Sequence, residues 1–387
     1  MFQPQLQFTH NIADSLQRIE EMRRLINTLA VLPHWELSIR REALVNTVHS
    51  TTAIEGNRLS REQVERIVDG GRPSVDARDT IEVRNVIALM KELYGLAKED
   101  VPADERLIRE MNRRVLDGVP GALSPGEYRR GQNYVQDSLT GGVVFTPPDQ
   151  GDVPSLISGL SDWLKLEQTG LSPILKAGVA HLELVAIHPF WDGNGRVARA
   201  LATYVMYATG YDFRRFHAWE TYLNADVRAY TNTLAASLGE HYYHSPRDYT
   251  PWLEYFTQAL AVTLDELRRE IESLRHAWDA AYAAASRLGL DQTHVQALMQ
   301  AAFYGSVSTD AYREATGVSR ATAFRHLREL EGTGLIARVG RGRATHYVPA
   351  QALLMGVGSA TLGAQHDTEP EGRSGQTDLL GQNTVSP

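Results

Sequence analysis

The chain has 387 residues, more than one hydrophobic core usually supports, so two or three domains are expected. Its 39 basic and 47 acidic residues give a formal net charge of -8, which argues against affinity of the whole chain for nucleic acid or anionic membranes but permits a local basic patch. The lack of Cys excludes disulfides, thiolate zinc sites and cysteine nucleophiles. No signal peptide or apolar membrane span is recognisable, so we expect a cytoplasmic protein that does not bind membranes.

Apolar residues recur at helical spacing through most of the first 288 residues. The predicted helices are 12–29, 40–54, 60–68, 83–98, 103–115, 154–169, 173–186, 195–208, 225–237 and 250–288, the last being long or interrupted. Residues 141–146 are the exception, because two Gly precede Val143, Val144, Phe145 and Thr146, and Pro147 and Pro148 follow. This pattern predicts a short extended flap, one arm of a hairpin, on a mainly α fold.

A different pattern begins near residue 291, with predicted helices 291–303, 308–316 and 319–333 and predicted strands 335–339 and 345–348. Three helices closed by a hairpin are typical of a helix-turn-helix followed by a wing. From about residue 363 the chain is rich in Gly, Thr, Gln and Asp, which predicts a disordered tail over 363–387.

The segment between the predicted helices 173–186 and 195–208 carries the densest polar pattern. Gly193 and Gly195 flank Asn194, so the backbone can turn tightly and present consecutive N–H groups at a helix start, where an anion is favoured. Arg196 and Arg199 are three residues apart on the following helix, so both guanidinium groups can face one polyphosphate. The segment is therefore a candidate phosphate cradle.

Two further side chains of this segment suggest chemistry. Asp192 adjoins the cradle, and a single carboxylate beside phosphates is a common way to hold Mg²⁺. His188 ends the preceding helix, where a neutral imidazole could accept a proton from an attacking hydroxyl. Asp192 is the candidate metal ligand and His188 the candidate base.

Residues 188–199, HPFWDGNGRVAR, resemble the signature of the Fic family, HxFx(D/E)GNGRxxR, with every specified position filled. The resemblance extends from about residue 43 to 255, including Gly131, the flap and Pro251-Trp252-Leu253. It implies the mostly helical Fic fold and a protein adenylyltransferase, in which a target Ser, Thr or Tyr hydroxyl attacks the α-phosphorus of ATP and pyrophosphate leaves. By the same resemblance His188 is catalytic, Asp192 binds Mg²⁺, and the residues that bind the nucleotide phosphates are Gly193, Asn194, Gly195, Arg196 and Arg199.

Residues 51–56, TTAIEG, resemble the (S/T)xxxE(G/N) inhibitory motif of one Fic class, with Thr51 in register. The resemblance implies that Glu55 pairs with Arg199 in place of the γ-phosphate and restrains the enzyme. In some members the same glutamate supports removal of AMP, and the sequence leaves that activity open here. The donor is likewise open, since relatives use other nucleotides or transfer a phosphate.

The remaining predictions concern partners. The flap could pair with an extended segment of the target protein, or of the chain itself, through backbone hydrogen bonds, or it could only shield the pocket. The C-terminal module resembles a winged helix, whose candidate DNA contacts are Arg320, Thr322, Arg325, Arg341 and Arg343. Such modules can instead dock proteins or dimerise. If this one binds DNA, a homodimer is expected, since one such module reads only a short site.

We therefore divide the chain into an N-terminal helical region with the inhibitory motif (1–100), a Fic core (101–288), a winged helix-turn-helix (289–350) and the tail. The alternative function is a DNA-binding transcriptional regulator whose Fic-like domain senses a nucleotide, which the intact His188 opposes.

Overall fold

A computed structural model describes residues 2–29, 33–71, 77–136, 143–166, 169–243, 247–342, 345–351 and 353. The chain divides into two compact units, Met1–Arg268 and Arg269–Pro387, each considered by itself below. Arg343, residues 141–142 and the predicted tail 363–387 lie outside the described residues. No helix in the described ranges combines the length and hydrophobicity needed to cross a bilayer.

The first unit is built almost entirely of helices. In chain order they are α1 (His10–Thr28), α2 (Pro33–Ala53), α3 (Arg61–Val68), α4 (Ala77–Lys98), α5 (Glu105–Val115), α6 (Val153–Lys165), α7 (Pro173–Ile187), α8 (Asn194–Ala208), α9 (Glu220–Ala225), α10 (Val227–Leu238) and α11 (Thr250–Arg287), the last extending into the second unit. The fold class is mainly α, as predicted.

Local sequence explains where several of these helices begin. The Ser172 side chain accepts a hydrogen bond from the Leu175 backbone N–H, and Pro173 occupies the first turn of α7, where its missing N–H costs nothing. Ser60 and Gln63 form a reciprocal capping box at α3. These caps satisfy backbone donors that the helices themselves leave unpaired.

Helices α7 and α8 form the centre of the first unit and pack against each other. Every residue of α7 from Ile174 to Ile187 is buried except Lys176, and α8 is buried along most of its length. Helices α4 and α5 also pack on α8. The turn between α7 and α8 is therefore held by the most deeply buried pair of helices in this unit.

The flap is a two-stranded antiparallel hairpin of β1 (Val135–Gln136) and β2 (Val143–Phe145), in which Val135 pairs with Phe145. Phe145 is buried and anchors the hairpin, whereas the side chains of Val143 and Val144 are exposed. The next residue, Thr146, exchanges backbone hydrogen bonds with the 240–242 segment. The prediction of a short extended flap is confirmed for residues 143–145.

The second unit contains, after the end of α11, α12 (Gln292–Tyr304), β3 (Val307–Ser308), α13 (Thr309–Thr316), α14 (Arg320–Gly332), β4 (Ile336–Val339) and β5 (His346–Pro349). The strands form one antiparallel sheet in the order β3-β5-β4. The predicted helices and closing strands of this region are present within two residues of their predicted bounds. Its assignment as a winged helix stays a prediction, as do the functional domain ranges.

Two helix starts were predicted wrongly. Helix α2 begins at Pro33 rather than residue 40, and α4 begins at Ala77 rather than residue 83. Before residue 40 the apolar residues Leu37 and Ile39 lie two apart, not at helical spacing, and α4 opens with the polar residues Arg78, Asp79 and Thr80. The apolar period that marks a helix therefore starts late in both segments.

Candidate active site

His188 lies at the point where α7 ends, and its backbone is in the left-handed conformation, with φ 47 and ψ 58. Its Nδ1 lies 3.2 Å from the Val185 carbonyl oxygen. Because a carbonyl can only accept, Nδ1 carries the proton and donates it to that oxygen. The lone pair of the neutral ring is then on Nε2, the nitrogen that a base would use.

The surroundings of His188 favour the neutral ring. Its pKa is lowered to about 4, mainly by burial and in part by the Arg129 guanidinium, while the Val185 carbonyl and Glu55 oppose this shift. The ring is therefore unprotonated at neutral pH and can accept a proton.

The loop between α7 and α8 is closed by the side chain of Asn194. Its Oδ1 accepts from the Phe190 N–H at 2.9 Å, and its Nδ2 donates to the Phe190 carbonyl at 2.8 Å. Phe190 itself is buried. Asn112 of α5, also buried, donates to the Asp192 carbonyl at 2.9 Å and accepts from the Gly126 N–H at 2.8 Å. Asn194 thus holds the loop by hydrogen bonds within it, and Asn112 holds it by a hydrogen bond from α5.

Arg129 and Asn133, which precede the flap in the chain, hold the other side of the loop. Arg129, which is buried, donates from Nε to the His188 carbonyl at 3.0 Å and from Nη2 to the Pro148 carbonyl. The Asn133 amide donates to the carbonyls of His188 at 3.3 Å and Phe190 at 3.0 Å. The catalytic loop and the base of the flap are therefore tied to one guanidinium.

Gly193 and Gly195 of the loop are required as glycine for different physical reasons. Gly193 has φ 78, the left-handed region that side chains disfavour, and it directly precedes α8. A Cβ added at Gly195 would collide with Glu55 Oε1 and lie 3.1 Å from Arg199 Nη1. The carboxylate of Glu55 thus rests on the first turn of α8, where backbone N–H groups and the helix dipole favour an anion.

Arg199 is buried and pairs with Glu55. Its Nη2 donates to Glu55 Oε1 at 2.8 Å and to the Thr51 carbonyl at 2.9 Å, and its Nε donates to Thr51 Oγ1 at 2.7 Å. Nη1 lies 3.5 Å from the Tyr230 hydroxyl, which is 3.2 Å from His181 Nε2. Thr51 and Glu55, predicted to belong to one motif, thus contact the same guanidinium.

Glu55 keeps its negative charge in this environment. Burial opposes ionisation of its carboxyl, but the positive charges of Arg199 and Arg196 outweigh that effect, and its pKa is lowered. Glu55 is therefore an anion at neutral pH and occupies the position beside Arg199 that an anionic ligand would need.

Arg196 is buried but only partly satisfied. Its Nη2 donates to Asp192 Oδ1 at 3.0 Å and its Nη1 lies 3.7 Å from Glu82 Oε1, while Nε and Nη1 have no hydrogen-bond partner among the described residues. Buried guanidinium donors are usually paired, so this group is prepared for a further acceptor.

Comparison with known proteins shows which family this site resembles. The sequence model of the Fic/DOC family matches residues 102–206, which include the whole α7–α8 loop. Residues 102–206 therefore match a Fic domain. Crystal structures agree, since a Fic family protein from Desulfovibrio desulfuricans G20 matches 90% of this chain and 99% of its own, with a TM-score of 0.62 and 26% identity. Fic-1 from C. elegans matches 68% of this chain and 73% of its own, with a TM-score of 0.54 and 25% identity.

Curated relatives of the Fic domain carry the name protein adenylyltransferase Fic. The relative from Drosophila willistoni is 33% identical over 212 residues, 51% of this chain and 41% of that protein. The relative from Culex quinquefasciatus is 31% identical over 234 residues, 57% of this chain and 45% of that protein. The chain thus spans less than half the length of the curated relatives it matches.

The structure brings together all the residues predicted for the Fic loop and also Glu55. Among the candidate DNA contacts, Arg320, Arg325 and Arg341 are exposed, and Thr322 is half-buried with its hydroxyl 2.9 Å from Ser319 Oγ. Sequence reasoning did not single out Asn112, Asn133, Glu82 or the Tyr230–His181 pair. Each is a single polar residue far along the chain from the loop, without a local pattern to mark it.

Proposed function

We propose that the Fic domain transfers AMP from ATP to Ser, Thr or Tyr hydroxyls of a protein, with Glu55 as a built-in brake. The observation that supports this proposal best is the buried guanidinium of Arg196 at a helix start that also presents Arg199, because two of its nitrogens lack a hydrogen-bond partner among the described residues. Two guanidinium groups and free helix N–H groups suit a polyphosphate, and the family's curated relatives are named adenylyltransferases.

Asp192 has the chemistry of a Mg²⁺ ligand. Its carboxylate is partly exposed, and its Oδ1 accepts from Arg196 and from the Gly193 N–H. Its Oδ2 lies 3.6 Å from Arg78 Nη2, too far for a hydrogen bond, and so has lone pairs to offer a cation. Mg²⁺ usually takes one or two carboxylates and completes its shell with water and phosphate oxygens, so Asp192 fits the ion. Bound there, Mg²⁺ would neutralise phosphate charge.

In the proposed reaction His188 Nε2 removes the proton of the target hydroxyl as its oxygen attacks the α-phosphorus. The new bond joins that oxygen to the α-phosphorus, and the bond from the α-phosphorus to the bridging oxygen of the β-phosphate breaks. Pyrophosphate leaves with the electron pair. Arg196, Arg199 and the N–H groups at the start of α8 oppose the negative charge of the phosphates, and the Val185 carbonyl keeps His188 in the required tautomer.

Glu55 restrains this reaction by occupying an anion position. Its carboxylate and a phosphate of ATP would both need Arg199 and the space over Gly195, where there is no room even for a Cβ. Hydrogen bonds between charged groups contribute about 1.5–3 kcal/mol, and about 1.4 kcal/mol is a factor of ten. Removing the carboxylate should therefore raise AMP transfer about 10- to 100-fold.

The flap is proposed to position the target. Val143 and Val144 expose their side chains beside the loop that Arg129 ties to the flap base, so an extended peptide could lie along this hairpin. Backbone pairing would fix the depth of the modified hydroxyl without reading the target's sequence. Self-modification would use the same site.

ATP labelled at the α-phosphorus and ATP labelled at the γ-phosphorus together test the proposal. We expect label on protein only from α-labelled ATP, weakly with the native chain and more strongly with Glu55→Gly. Glu99→Gly is the matched control, because Glu99 is exposed and also lies just past a helix end, and it should behave as the native chain. Label from γ-labelled ATP would indicate phosphate transfer instead, and no difference between the variants would remove the brake.

A second candidate function, DNA binding by the second unit, is favoured by the exposed arginines of α14. Arg320, Arg325 and Arg328 are exposed, and Arg341 is exposed in the turn between β4 and β5. Fluorescence anisotropy with duplex DNA at increasing salt tests it, because phosphate contacts give affinities that fall steeply with ionic strength. Weak binding that does not change with salt would count against phosphate contact.

A further inference from the structure

The second unit contains a cluster of polar side chains that the proposed function does not use. Asp291, His294 and His326 each place one ligand-type atom within 4.8 Å of the others. Asp291 directly precedes α12, His294 lies in its first turn, and His326 lies on α14. Both histidines are buried, and their rings lie 4.1 Å apart between centroids.

The contacts of His294 are unusual for a buried histidine. Its Nδ1 lies 2.7 Å from Asp291 Oδ1, and its Nε2 lies 2.9 Å from Glu329 Oε2. The Asp291 backbone N–H donates to Nδ1 at 3.3 Å, which places the lone pair on Nδ1 and the ring proton on Nε2, the nitrogen that faces Glu329. A ring nitrogen with a lone pair and a carboxylate oxygen thus lie side by side, 2.7 Å apart.

Hydroxyl groups complete the cluster. Thr293 Oγ1 lies 2.5 Å from Asp291 Oδ1 and 3.3 Å from His326 Nδ1, and the buried Tyr312 hydroxyl lies 3.0 Å from the same His326 nitrogen. Helix capping explains part of this, because Asp291 accepts from the backbone N–H groups of Thr293 and His294. Capping does not explain why His326, on another helix, faces the same point.

We propose that Asp291, His294 and His326 form a binding site for a divalent first-row transition metal of the Zn²⁺ type, which joins the start of α12 to α14. Two imidazoles and one carboxylate are a donor set that such ions prefer over Mg²⁺ or Ca²⁺. The cation lies between His294 Nδ1 and Asp291 Oδ1, and it binds the unprotonated form of that nitrogen.

The neighbours of the cluster fit this assignment. With His294 bound through Nδ1, its Nε2–H still donates to Glu329, the arrangement of a metal-bound histidine oriented by a carboxylate. The side chain of Asp291 is 62% exposed, so an ion can reach the site from solvent. The hydroxyl of Thr293 or a water can complete a four-coordinate shell.

Equilibrium dialysis of the full chain against Zn²⁺, after treatment with a chelator, tests the site. We expect one tightly held Zn²⁺ per chain that excess Mg²⁺ does not displace, and a higher melting temperature with Zn²⁺ present. Replacement by Co²⁺ should give the intense visible absorption of a four-coordinate ion. The control His276→Ala removes an exposed histidine of the same unit and should retain the zinc.

Three variants separate metal binding from folding. Asp291→Asn removes the ligand charge but keeps a good helix cap, since Asn and Asp cap equally well, and should weaken Zn²⁺ binding at least tenfold. His326→Gln should do the same, and Glu329→Gln should weaken binding about 10- to 100-fold. Far-ultraviolet circular dichroism confirms that each variant is folded. Native affinity in folded Asp291→Asn and His326→Gln, or a native chain that holds no zinc, would overturn the proposal.

Discussion

His188 in the first unit, which is half-buried, and His294 in the second, which is buried, differ in the partners of their ring nitrogens. His188 has one nitrogen committed to the Val185 carbonyl and the other left for a substrate. His294 has a carboxylate on each nitrogen. A neutral ring with one open nitrogen suits a base, whereas a ring nitrogen whose lone pair lies beside a carboxylate suits a metal ion. The partners, more than the burial, distinguish the two roles.

The largest expected effect on the rate of AMP transfer comes from removing the proposed base, His188. In a Glu55→Gly background, His188→Ala should lower AMP transfer about 100- to 10,000-fold, the usual contribution of a positioned base. The label from α-labelled ATP gives the rate. The control is His276→Ala, which removes an exposed histidine of the second unit and should leave the rate unchanged. A fall of less than tenfold in His188→Ala would mean that His188 is not the base.

Asp192 near His188 and Asp291 near His294 extend the comparison to the metal ligands proposed for the two units. Asp192→Asn should raise the Mg²⁺ concentration needed for half-maximal AMP transfer about tenfold or more, because an amide replaces a charged oxygen ligand. Zinc retention by the same variant should equal that of the native chain. Dialysis and a Mg²⁺ titration of the rate measure the two properties separately. An unchanged Mg²⁺ requirement would remove Asp192 as the metal ligand.

A smaller effect, on the free energy of unfolding, is expected from changing Asn112, whose side chain holds the Fic loop. Asn112→Ala leaves the Gly126 N–H without its acceptor and the Asp192 carbonyl without a donor, so the free energy of unfolding should fall by about 1–3 kcal/mol. Asn232→Ala, at an exposed position of α10, should change it by less than about 0.5 kcal/mol. Urea unfolding measures both, and equal values would mean that Asn112 does not hold the loop.

The smallest expected change is in the pH profile. The pKa of His188 is lowered to about 4, and a base works only when unprotonated, so activity is lost only as the pH falls toward that value. Since kcat/KM reports the free enzyme, its profile in Glu55→Gly should be flat between about pH 5 and 8. The variant also lacks Glu55, which raises the pKa of His188. A half-maximal rate near the ordinary value of 6.5 would contradict the described environment.

The sequence indicated which side chains of the Fic loop lie together because these residues are neighbours in the chain. His188, Asp192 and Arg199 lie within one loop and the first two turns of the following helix, so spacing alone orients them. Thr51 and Glu55 were found only because they form a short motif. Their contact with Arg199 spans 144 or more positions, which no local periodicity encodes.

Other features depend on tertiary contacts and were missed for that reason. The two-residue strand β3 exists through its pairing with β5, and Asn112 acts on a loop 80 positions away. Similarly, Asp291 and His294 resemble an ordinary helix cap in sequence, and only the packing of α14 adds His326 to them. Polar residues that act across the fold leave no signal in one sequence.

The most direct test of the central claim is intact-mass spectrometry of four proteins after incubation with ATP and Mg²⁺. The proteins are the native chain, Glu55→Gly, His188→Ala and the double variant, each with a substrate protein or with itself as target. The account predicts an AMP-sized increment that is strongest in Glu55→Gly and absent from both His188→Ala proteins. An equal increment with and without His188, or none in Glu55→Gly although ATP is bound, would contradict it.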